Sequence, residues 1–153
     1  MTEKRWPLDR FREVAIATTA RGFRVLAFAE PSGYGAELFD IPGVVGARVS
    51  LREMMALIER CSLLVCNDSG PMHIAGALGV PTVAMFGSGI EQWFSPLGDG
   101  HELLRPGYDE KKAGAESSLG GIRAPTGIKS VQVLEAIGRS VQRLRARGTF
   151  SRG

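Results

Sequence analysis

Apolar runs and amphipathic segments alternate along the chain, and the pattern predicts a protein built from strands and helices in turn. Short apolar runs bounded by turn residues are typical of buried strands, and they cover residues 23–29, 63–66 and 81–86. Amphipathic segments typical of helices cover about 7–20 and 130–147, and residues 71–78, ended by Gly79 and Pro81, predict another helix. Alternating elements of this kind predict one α/β layer structure with a parallel sheet, in which residues 63–86 form a right-handed βαβ unit.

The remaining segments give weaker signals. Residues 30–47 combine turn residues with one brief apolar stretch and predict at most a single helical turn. Ser50 begins a clearer helix, because Glu53 stands three residues later at the spacing of a capping box. Further on, Glu102–Leu104 predicts one more short strand, and residues 106–129, rich in Gly, Ser, Lys and Pro, predict a long exposed loop.

Length and composition narrow the class of protein. A chain of 153 residues fits one domain, residues 1–153, that is large enough to bury a core. No apolar run reaches the roughly 18 to 20 residues of a membrane span, and the N-terminus lacks the apolar segment of a secretory signal. Cys61 and Cys66 lie in or beside an apolar strand, where cysteine serves as a small hydrophobic residue. No metal site is predicted, and a reducing cytoplasm is the default location.

Charge is unevenly distributed, although the net charge is only +3. After Glu135 the chain carries arginines and no acid: Arg139, Arg143, Arg145, Arg147 and Arg152. Two interpretations stay open for this run. It is a solvated helix face with a frayed end, the commoner case, or a patch that contacts an anionic surface. No aromatic residues stand between the arginines, so the pattern does not predict a nucleic-acid platform.

The polar cluster Asn-Asp-Ser-Gly-Pro-Met-His, residues 67–73, stands between a predicted buried strand and the helix that follows. In open α/β sheets, ligands bind at the carboxyl ends of the strands. Pro71 suits a first helical turn, Ser69 suits the N-cap, and Gly70 allows a ligand to approach the backbone closely. The cluster therefore predicts an anion site at the start of a helix.

Helix geometry then suggests which groups face the anion. The amides of Met72, His73 and Ile74 are predicted to point outward, and the helix dipole adds about half a positive charge. His73 is expected to act as a neutral donor, because the positive helix end disfavours its protonation. The alternative is ordinary capping by Asp68 and Ser69 beside a surface histidine, and the residues alone leave the two interpretations evenly balanced.

The longer string around the cluster resembles a known family. Asp-Ser-Gly-Pro-Met-His-Ile-Ala at 68–75 and Ala-Leu-Gly-Val-Pro-Thr-Val-Ala-Met-Phe-Gly at 77–87 resemble the donor-site signature of glycosyltransferase family 9. This family comprises the heptosyltransferases of lipopolysaccharide core synthesis and their relatives. Lys-Arg-Trp-Pro at 4–7 is similar to the family's Lys-x-Trp-Pro segment, and residues 49–58 are similar to its helix before the donor strand. The resemblance covers about residues 4–105.

The resemblance implies the C-terminal, nucleotide-sugar-binding half of a GT-B enzyme, with a Rossmann-like parallel sheet flanked by helices. By position, it places the donor phosphates and sugar at Lys4, Asp68, Ser69, Gly70, Pro71, Met72, His73 and Gly87. It implies transfer without a metal or other cofactor, since Lys4 and helix amides can stabilise the leaving nucleoside diphosphate. The expected donor is a nucleotide sugar of the ADP-heptose kind. Glu30 or Glu37 is a candidate for a ribose contact, although a surface charge is the commoner role.

Several features depart from the family pattern. The chain lacks a counterpart of the N-terminal domain that supplies the catalytic base, so the catalytic residue is unknown. A strand expected at the centre of the sheet, before Lys4, is missing, and the helix between 30 and 47 is shortened. The segment 87–98 keeps Gly87 and Pro96 but has no Asp where the family carries one. We therefore do not expect this segment to contact the donor sugar through the Asp that the family uses.

Two hypotheses follow. The chain is the donor half of a split or truncated transferase, with little activity alone because donor, acceptor and base must be held together. Alternatively, it is a non-catalytic nucleotide-sugar-binding module or a fragment that needs a separate acceptor domain or a homodimer. Expected partners are a nucleotide sugar and a glycan or lipid-linked saccharide, without nucleic acid. The expected location is cytoplasmic, with peripheral contact at the inner face of the cytoplasmic membrane.

Overall fold

The computed structural model describes residues 5–87, 95–106 and 125–149. The described helices are α1 (Leu8–Ala20), α2 (Leu51–Glu59), α3 (Gly70–Ala77) and α4 (Ser130–Ala146). The described strands are β1 (Val25–Phe28), β2 (Val44–Ala47), β3 (Leu64–Asn67), β4 (Thr82–Met85) and β5 (Glu102–Leu104). Short 3₁₀ turns lie at Ala36–Leu38 and Pro125–Gly127. The order of elements is that of an α/β protein, as the sequence predicts.

Every described strand pair is parallel, but the strands form two sheets instead of the single sheet that the sequence predicts. β1 pairs with β2, and Val25 lies opposite Val44. The other sheet has the order β3-β4-β5, so that β3, α3 and β4 form the predicted βαβ unit. Within the described residues, neither β1 nor β3 pairs with a strand along its other edge.

Helices cover both faces of the three-stranded sheet. All four residues of β4 are buried, and the side chains of Val83, Ala84 and Met85 enter two separate clusters. Val83 and Met85 pack in a cluster with residues of α1 and α4, whereas Ala84 packs in a cluster with residues of α2 and α3. The helices thus lie in two layers, α1 with α4 and α2 with α3, as expected for a doubly wound fold.

β3 differs in detail from its prediction as a strand buried on both faces. Leu64 and Cys66 are buried, but Val65 and Asn67 are only half-buried. The difference arises because β3 lies at the edge of its sheet, where one side lacks a neighbouring strand. Cys66 packs in the α2 and α3 cluster as a small hydrophobic side chain, as predicted.

The capping box of α2 is confirmed. The Ser50 hydroxyl accepts a hydrogen bond from the Glu53 amide at 3.4 Å, and the Glu53 carboxylate accepts one from the Ser50 amide at 2.8 Å. Helix α1, in contrast, begins at Leu8, one residue after the predicted start at Pro7. Pro7 is the N-cap of α1, and its carbonyl accepts from the amides of Arg10 and Phe11.

The segment 30–47 contains the predicted single helical turn and one strand, β2, that the sequence pattern does not predict. β2 is short and contains Gly46, which weakens its strand signal. The structure shows why glycine stands there, because a Cβ at position 46 would lie 2.3 Å from Cγ of Phe39. The 3₁₀ turn brings Phe39 across the strand, a side-chain contact that strand and helix periodicities do not reveal.

The C-terminal part of the predicted loop 106–129 is ordered and partly buried. Residues 107–124 lie outside the described residues, but Pro125 and Ile128 are buried. The indole nitrogen of Trp6, itself fully buried, donates a hydrogen bond to the Ile128 carbonyl at 2.8 Å. The prediction of an exposed loop is therefore wrong for Pro125 and Ile128, whereas Thr126, Gly127 and Lys129 are exposed. The helix predicted at 130–147 is confirmed, one residue shorter at its end.

The arginine run of α4 has an acidic partner that is distant in sequence. Glu102 on β5 accepts a hydrogen bond from Arg139 at 3.0 Å and forms an ion pair with Arg143 at 2.8 Å. Two of the five arginines are therefore used to attach α4 to β5. Over the part of the chain that the structure describes, no helix is both long and apolar enough to cross a membrane.

Candidate functional site

The polar cluster lies at the carboxyl end of the three-stranded sheet, as predicted. β3 ends at Asn67, and α3 begins at Gly70 after a connection of two residues. The Asp68 amide donates to the Met85 carbonyl at 3.1 Å, which holds this connection beside the end of β4. The start of α3 thus opens at the edge where parallel α/β sheets bind ligands.

Ser69 occupies the N-cap, but its side chain does not cap the helix. Its hydroxyl donates instead to the Asn67 carbonyl at 3.1 Å, and no side-chain bond to the α3 amides is formed. The prediction of capping by the Ser69 hydroxyl is therefore wrong. The hydroxyl turns back to its own strand because Asn67, at the end of β3, leaves a carbonyl within reach.

The free amides at the start of α3 are not the predicted ones. The Met72 amide donates to the Ser69 carbonyl at 3.0 Å. In a helix that begins at Gly70, the amides of His73 and Ile74 donate to carbonyls one turn earlier. At the start of α3, the amides for which the described residues supply no backbone acceptor are those of Ser69 and Gly70. The sequence prediction placed the free amides too far into the helix.

The side chains around these amides divide into exposed and buried ones. His73 is exposed, and Gly70 has open space beside it, since a Cβ there would meet no atom within 4 Å. Pro71 is half-buried in the first helical turn. Met72 is fully buried in the α2 and α3 cluster, so its side chain does not reach the surface of the site. Asp68 is half-buried beside the open space.

The structure brings the N-terminal segment of the resemblance to the same place. The Trp6 amide donates to the side-chain oxygen of Asn67 at 2.8 Å. Residues 5–7 therefore lie directly beside the turn that carries Asp68, although some 60 residues separate them in sequence. Lys4, predicted to contact the donor phosphates, lies outside the described residues, and its role stays a prediction.

A cationic and aromatic cluster that the sequence analysis missed lies next to Trp6. The Arg5 guanidinium stacks 4.2 Å from the ring centre of Tyr34 and donates to Glu30 at 2.6 Å. The Tyr34 hydroxyl donates to the Trp6 carbonyl at 3.4 Å. Burial raises the pKa of Tyr34, against a smaller lowering by the charge of Arg5. Tyr34 stands in the unassigned segment 30–47, where no local pattern pointed to a site.

An open cleft lies at the carboxyl ends of β1 and β2. It has a volume of about 310 Å³ and is lined by Ala29, Glu30, Pro31, Arg48 and Val49. Glu30 thus contributes to a concave surface at the ligand-binding edge of its sheet. Glu37, the other candidate for a ribose contact, uses its carboxylate to accept the Gly35 amide at 3.0 Å within its own turn.

The remaining predicted residue, Gly87, follows β4. It is half-buried, and the preceding Phe86 amide donates to the Leu104 carbonyl at 2.9 Å. Residues 88–94 lie outside the described residues. The nearby thiol of Cys66 is buried, and burial together with the charge of Asp68 raises its pKa. Cys66 is thus unsuited to act as a nucleophile at the site.

In residues 5–87, 95–106 and 125–149, no group of three or more His, Cys, Asp or Glu side chains is placed to hold a metal ion. The start of α3 offers backbone amides that can bind an anion, with cationic and polar side chains nearby. The helix dipole of α3 supports this use, because its N-terminus carries a partial positive charge.

Comparison with known proteins finds relatives that are named heptosyltransferases. Lipooligosaccharide heptosyltransferase 2 of Haemophilus influenzae is 32% identical over 112 residues, which are 67% of this chain and 32% of that protein. Lipopolysaccharide heptosyltransferase 2 of Salmonella typhimurium is 27% identical over 146 residues, which are 88% of this chain and 42% of that protein. The chain thus spans about a third to two fifths of the length of these curated relatives.

Solved structures share the fold. The glycosyl transferase family 9 protein of Veillonella parvula superposes with a TM-score of 0.74 at 27% identity, covering 94% of this chain and 43% of that chain. Escherichia coli heptosyltransferase WaaC, solved with ADP, superposes with a TM-score of 0.74 at 17% identity, covering 92% of this chain and 41% of that chain. The model of glycosyltransferase family 9 (heptosyltransferase) matches residues 1–122, and this chain therefore belongs to that family.

Proposed function

We propose that this domain binds the diphosphate of a nucleotide sugar at the start of α3. The observation that carries the proposal is the pair of amides of Ser69 and Gly70, which have no acceptor in the described part of the chain. They stand at a helix N-terminus with open space beside Gly70. A diphosphate supplies the acceptor oxygens that these amides lack, and the helix dipole favours its charge.

The nucleoside is proposed to lie in the cleft at the ends of β1 and β2. Its lining combines the apolar surfaces of Ala29 and Val49 with the carboxylate of Glu30. A carboxylate can accept hydrogen bonds from ribose hydroxyls, and apolar side chains suit the face of a base. Glu30 is held in place by the ion pair with Arg5. WaaC, a protein of the same fold, was solved with ADP, which supports a nucleoside diphosphate as the ligand.

In catalysis, the proposed role of the site is to stabilise the leaving group. Negative charge develops on the nucleoside diphosphate as the sugar leaves. The free amides and Lys4 would counter this charge in a fixed geometry. The amides are positioned by the βαβ unit, so they require little reorganisation during the reaction. We propose that a complementary half of the enzyme provides the base, binds the glycan or lipid-linked acceptor and completes the cleft.

Location and membrane contact remain part of the proposal. We propose a cytoplasmic protein that acts on a lipopolysaccharide-type acceptor at the membrane. Peripheral contact through the arginine run receives less support than the sequence suggested, because Arg139 and Arg143 are already paired with Glu102.

A second candidate function is a nucleotide-sugar-binding module without catalysis of its own. The chain spans 41% to 43% of the solved relatives named above. Transfer of sugar from an ADP-heptose donor to an acceptor, measured with the complementary half added, distinguishes the two functions. Full activity of the isolated chain would contradict both the need for a complementary half and the non-catalytic module.

Calorimetric titration with ADP, GDP and UDP tests the proposed site. We expect one nucleotide to bind with micromolar to sub-millimolar affinity, about 5 to 8 kcal/mol. Gly70→Val should weaken binding at least about tenfold, because its side chain fills the space that the diphosphate needs. Since that space holds no protein atom within 4 Å, the substitution should leave the fold intact.

The matched control is Gly138→Val, which places the same side chain on a helical glycine of α4 that also has nothing within 4 Å. It should leave the affinity unchanged. Absence of nucleotide binding by the folded wild-type chain, or equal losses in both variants, would refute the proposed site.

A further inference from the structure

A second cleft lies between helices α1 and α4, at the amino end of β1. It has a volume of about 400 Å³, within the range of ~300 to 1,000 Å³ that is common for small-molecule sites. The start of α3 lies instead at the carboxyl end of its sheet. The second cleft is therefore separate from the proposed nucleotide site, and it shares no lining residue with the cleft beside Glu30.

The deeper part of this cleft is apolar. Ile137 and Val141 of α4 line it and are buried members of the core cluster that contains Trp6. Phe23, between α1 and β1, also lines it and packs against the same cluster. Gly138 leaves space beside them, since a Cβ there would meet no atom within 4 Å. Because the core holds these side chains in place, the cleft presents an apolar surface that is already formed.

Two arginines from elements distant in sequence line the same cleft. Arg21 is the C-cap residue of α1, and Arg145 lies in the last turn of α4. Both are exposed, and the lining contains no Asp or Glu. In the part of the chain that the structure describes, the Arg21 guanidinium has no hydrogen-bond or ion-pair partner. The mouth of the cleft thus carries positive charge that its own lining does not neutralise.

The two helix ends make these guanidinium groups the main determinants for an anion. A helix C-terminus presents carbonyls and a partial negative charge, so it offers no free amides to an anionic group. A guanidinium group, in contrast, forms paired hydrogen bonds with a carboxylate or a phosphate. Gln142 also lines the cleft and adds a neutral amide donor. An anion at this mouth therefore depends on Arg21 and Arg145.

We propose that this cleft binds a single-chain anionic amphiphile, a molecule with one alkyl chain and a carboxylate or phosphate head group. The chain lies against Phe23, Ile137 and Val141, and the head group lies between Arg21 and Arg145. An inorganic anion leaves the apolar surface uncovered, and a neutral chain leaves the arginines without a counter-ion. A bilayer lipid fits less well, because its chains stay in the membrane whereas the deep part of the cleft is apolar.

Calorimetric titration of the full chain with octyl phosphate, below its micelle-forming concentration, tests the proposal. Octyl glucoside has the same alkyl chain without the charge, and inorganic phosphate has the charge without the chain. We expect octyl phosphate to bind, and the other two probes to bind at least about tenfold more weakly, because each satisfies only half of the cleft. Equal affinity for octyl phosphate and either of the other probes would overturn the proposal.

Three variants locate the binding. Gly138→Val places a side chain in the cleft and Arg21→Gln removes one charge, so each should weaken octyl phosphate binding at least about tenfold. Arg24→Gln is the matched control, because Arg24 is exposed next to Phe23 but does not line the cleft. It should leave the affinity unchanged. Unchanged affinity in Gly138→Val, or equal losses in Arg21→Gln and Arg24→Gln, would overturn the proposal.

A membrane is the other partner that arginines could contact, and vesicles distinguish it. If the chain sediments with phosphatidylglycerol vesicles, and Arg21→Gln abolishes this while Gly138→Val does not, the arginines bind a membrane surface and the proposal is overturned.

ADP separates this proposal from the proposed function. Octyl phosphate binding that is sensitive to Gly138→Val, in a chain that does not bind ADP, would refute the nucleotide site alone. ADP binding without octyl phosphate binding would refute the amphiphile site alone. Octyl phosphate binding that is lost in Gly70→Val and kept in Gly138→Val would place the phosphate at α3 and overturn the proposal.

Discussion

At the scale of single residues, two helical glycines have contrasting surroundings. A Cβ at Gly76 would lie 2.8 Å from the Leu97 amide nitrogen, whereas a Cβ at Gly138 would meet nothing within 4 Å. Gly76 therefore permits the close approach of α3 to the segment 96–97. This contact involves backbone atoms, so a side chain at position 76 could be accommodated only if the two segments moved apart.

We predict that Gly76→Ala lowers the free energy of unfolding by about 1 to 3 kcal/mol, as expected for overpacking. Gly138→Ala should raise it by roughly 0.5 to 1 kcal/mol, because alanine costs less chain entropy in a helix. Urea unfolding of the two variants and the parent chain measures both effects. Stabilisation by Gly76→Ala would contradict the close packing.

At the scale of elements, Glu102 connects β5 to α4. Hydrogen bonding to Arg139, together with the nearby Arg143, lowers the pKa of Glu102 from its ordinary value of 4.5. A carboxyl whose pKa is depressed in the folded state stabilises the protein fully above its unfolded pKa. This stabilisation is lost as the pH falls from about 4.5 through the lower native value.

We predict that Glu102→Gln lowers the free energy of unfolding at pH 7 by about 1 kcal/mol or less, the range of ion pairs near the surface. The loss should shrink as the pH falls below about 4.5, because Glu102 then becomes protonated in the parent chain. Urea midpoints at several pH values provide the measurement, with Glu59→Gln at the exposed end of α2 as the control. If the loss in free energy of unfolding were independent of pH, the charge of Glu102 would not contribute to stability.

At the scale of the whole molecule, local sequence signals predict the elements well. The capping box of Ser50, the apolar run of β4 and the α4 periodicity each depend on residues close in sequence, and all are confirmed. β2 was missed because Gly46 weakens its strand signal, and the reason for a glycine there is the packing of Phe39 across the strand. The division into two sheets was likewise not predicted, since pairing between strands distant in sequence leaves no local pattern.

The candidate site shows the same limit. The sequence correctly placed residues 68–73 at the end of a strand, because strand, turn and helix signals follow one another there. It misassigned the free amides, which depend on the residue at which α3 begins. It also missed Arg5 and Tyr34, whose contact joins segments about 30 residues apart. Local patterns thus locate the site, and tertiary contacts determine which groups face it.

The central claim is that a nucleoside diphosphate binds at the start of α3. The most direct test is an NMR titration of the isotopically labelled chain with ADP, following the amide signals of Ser69 and Gly70. The account predicts that these two signals shift furthest and saturate with the calorimetric affinity, while the Gly138 amide on α4 stays unchanged. Saturable shifts confined to other parts of the chain, or no shifts at millimolar ADP, would contradict the account.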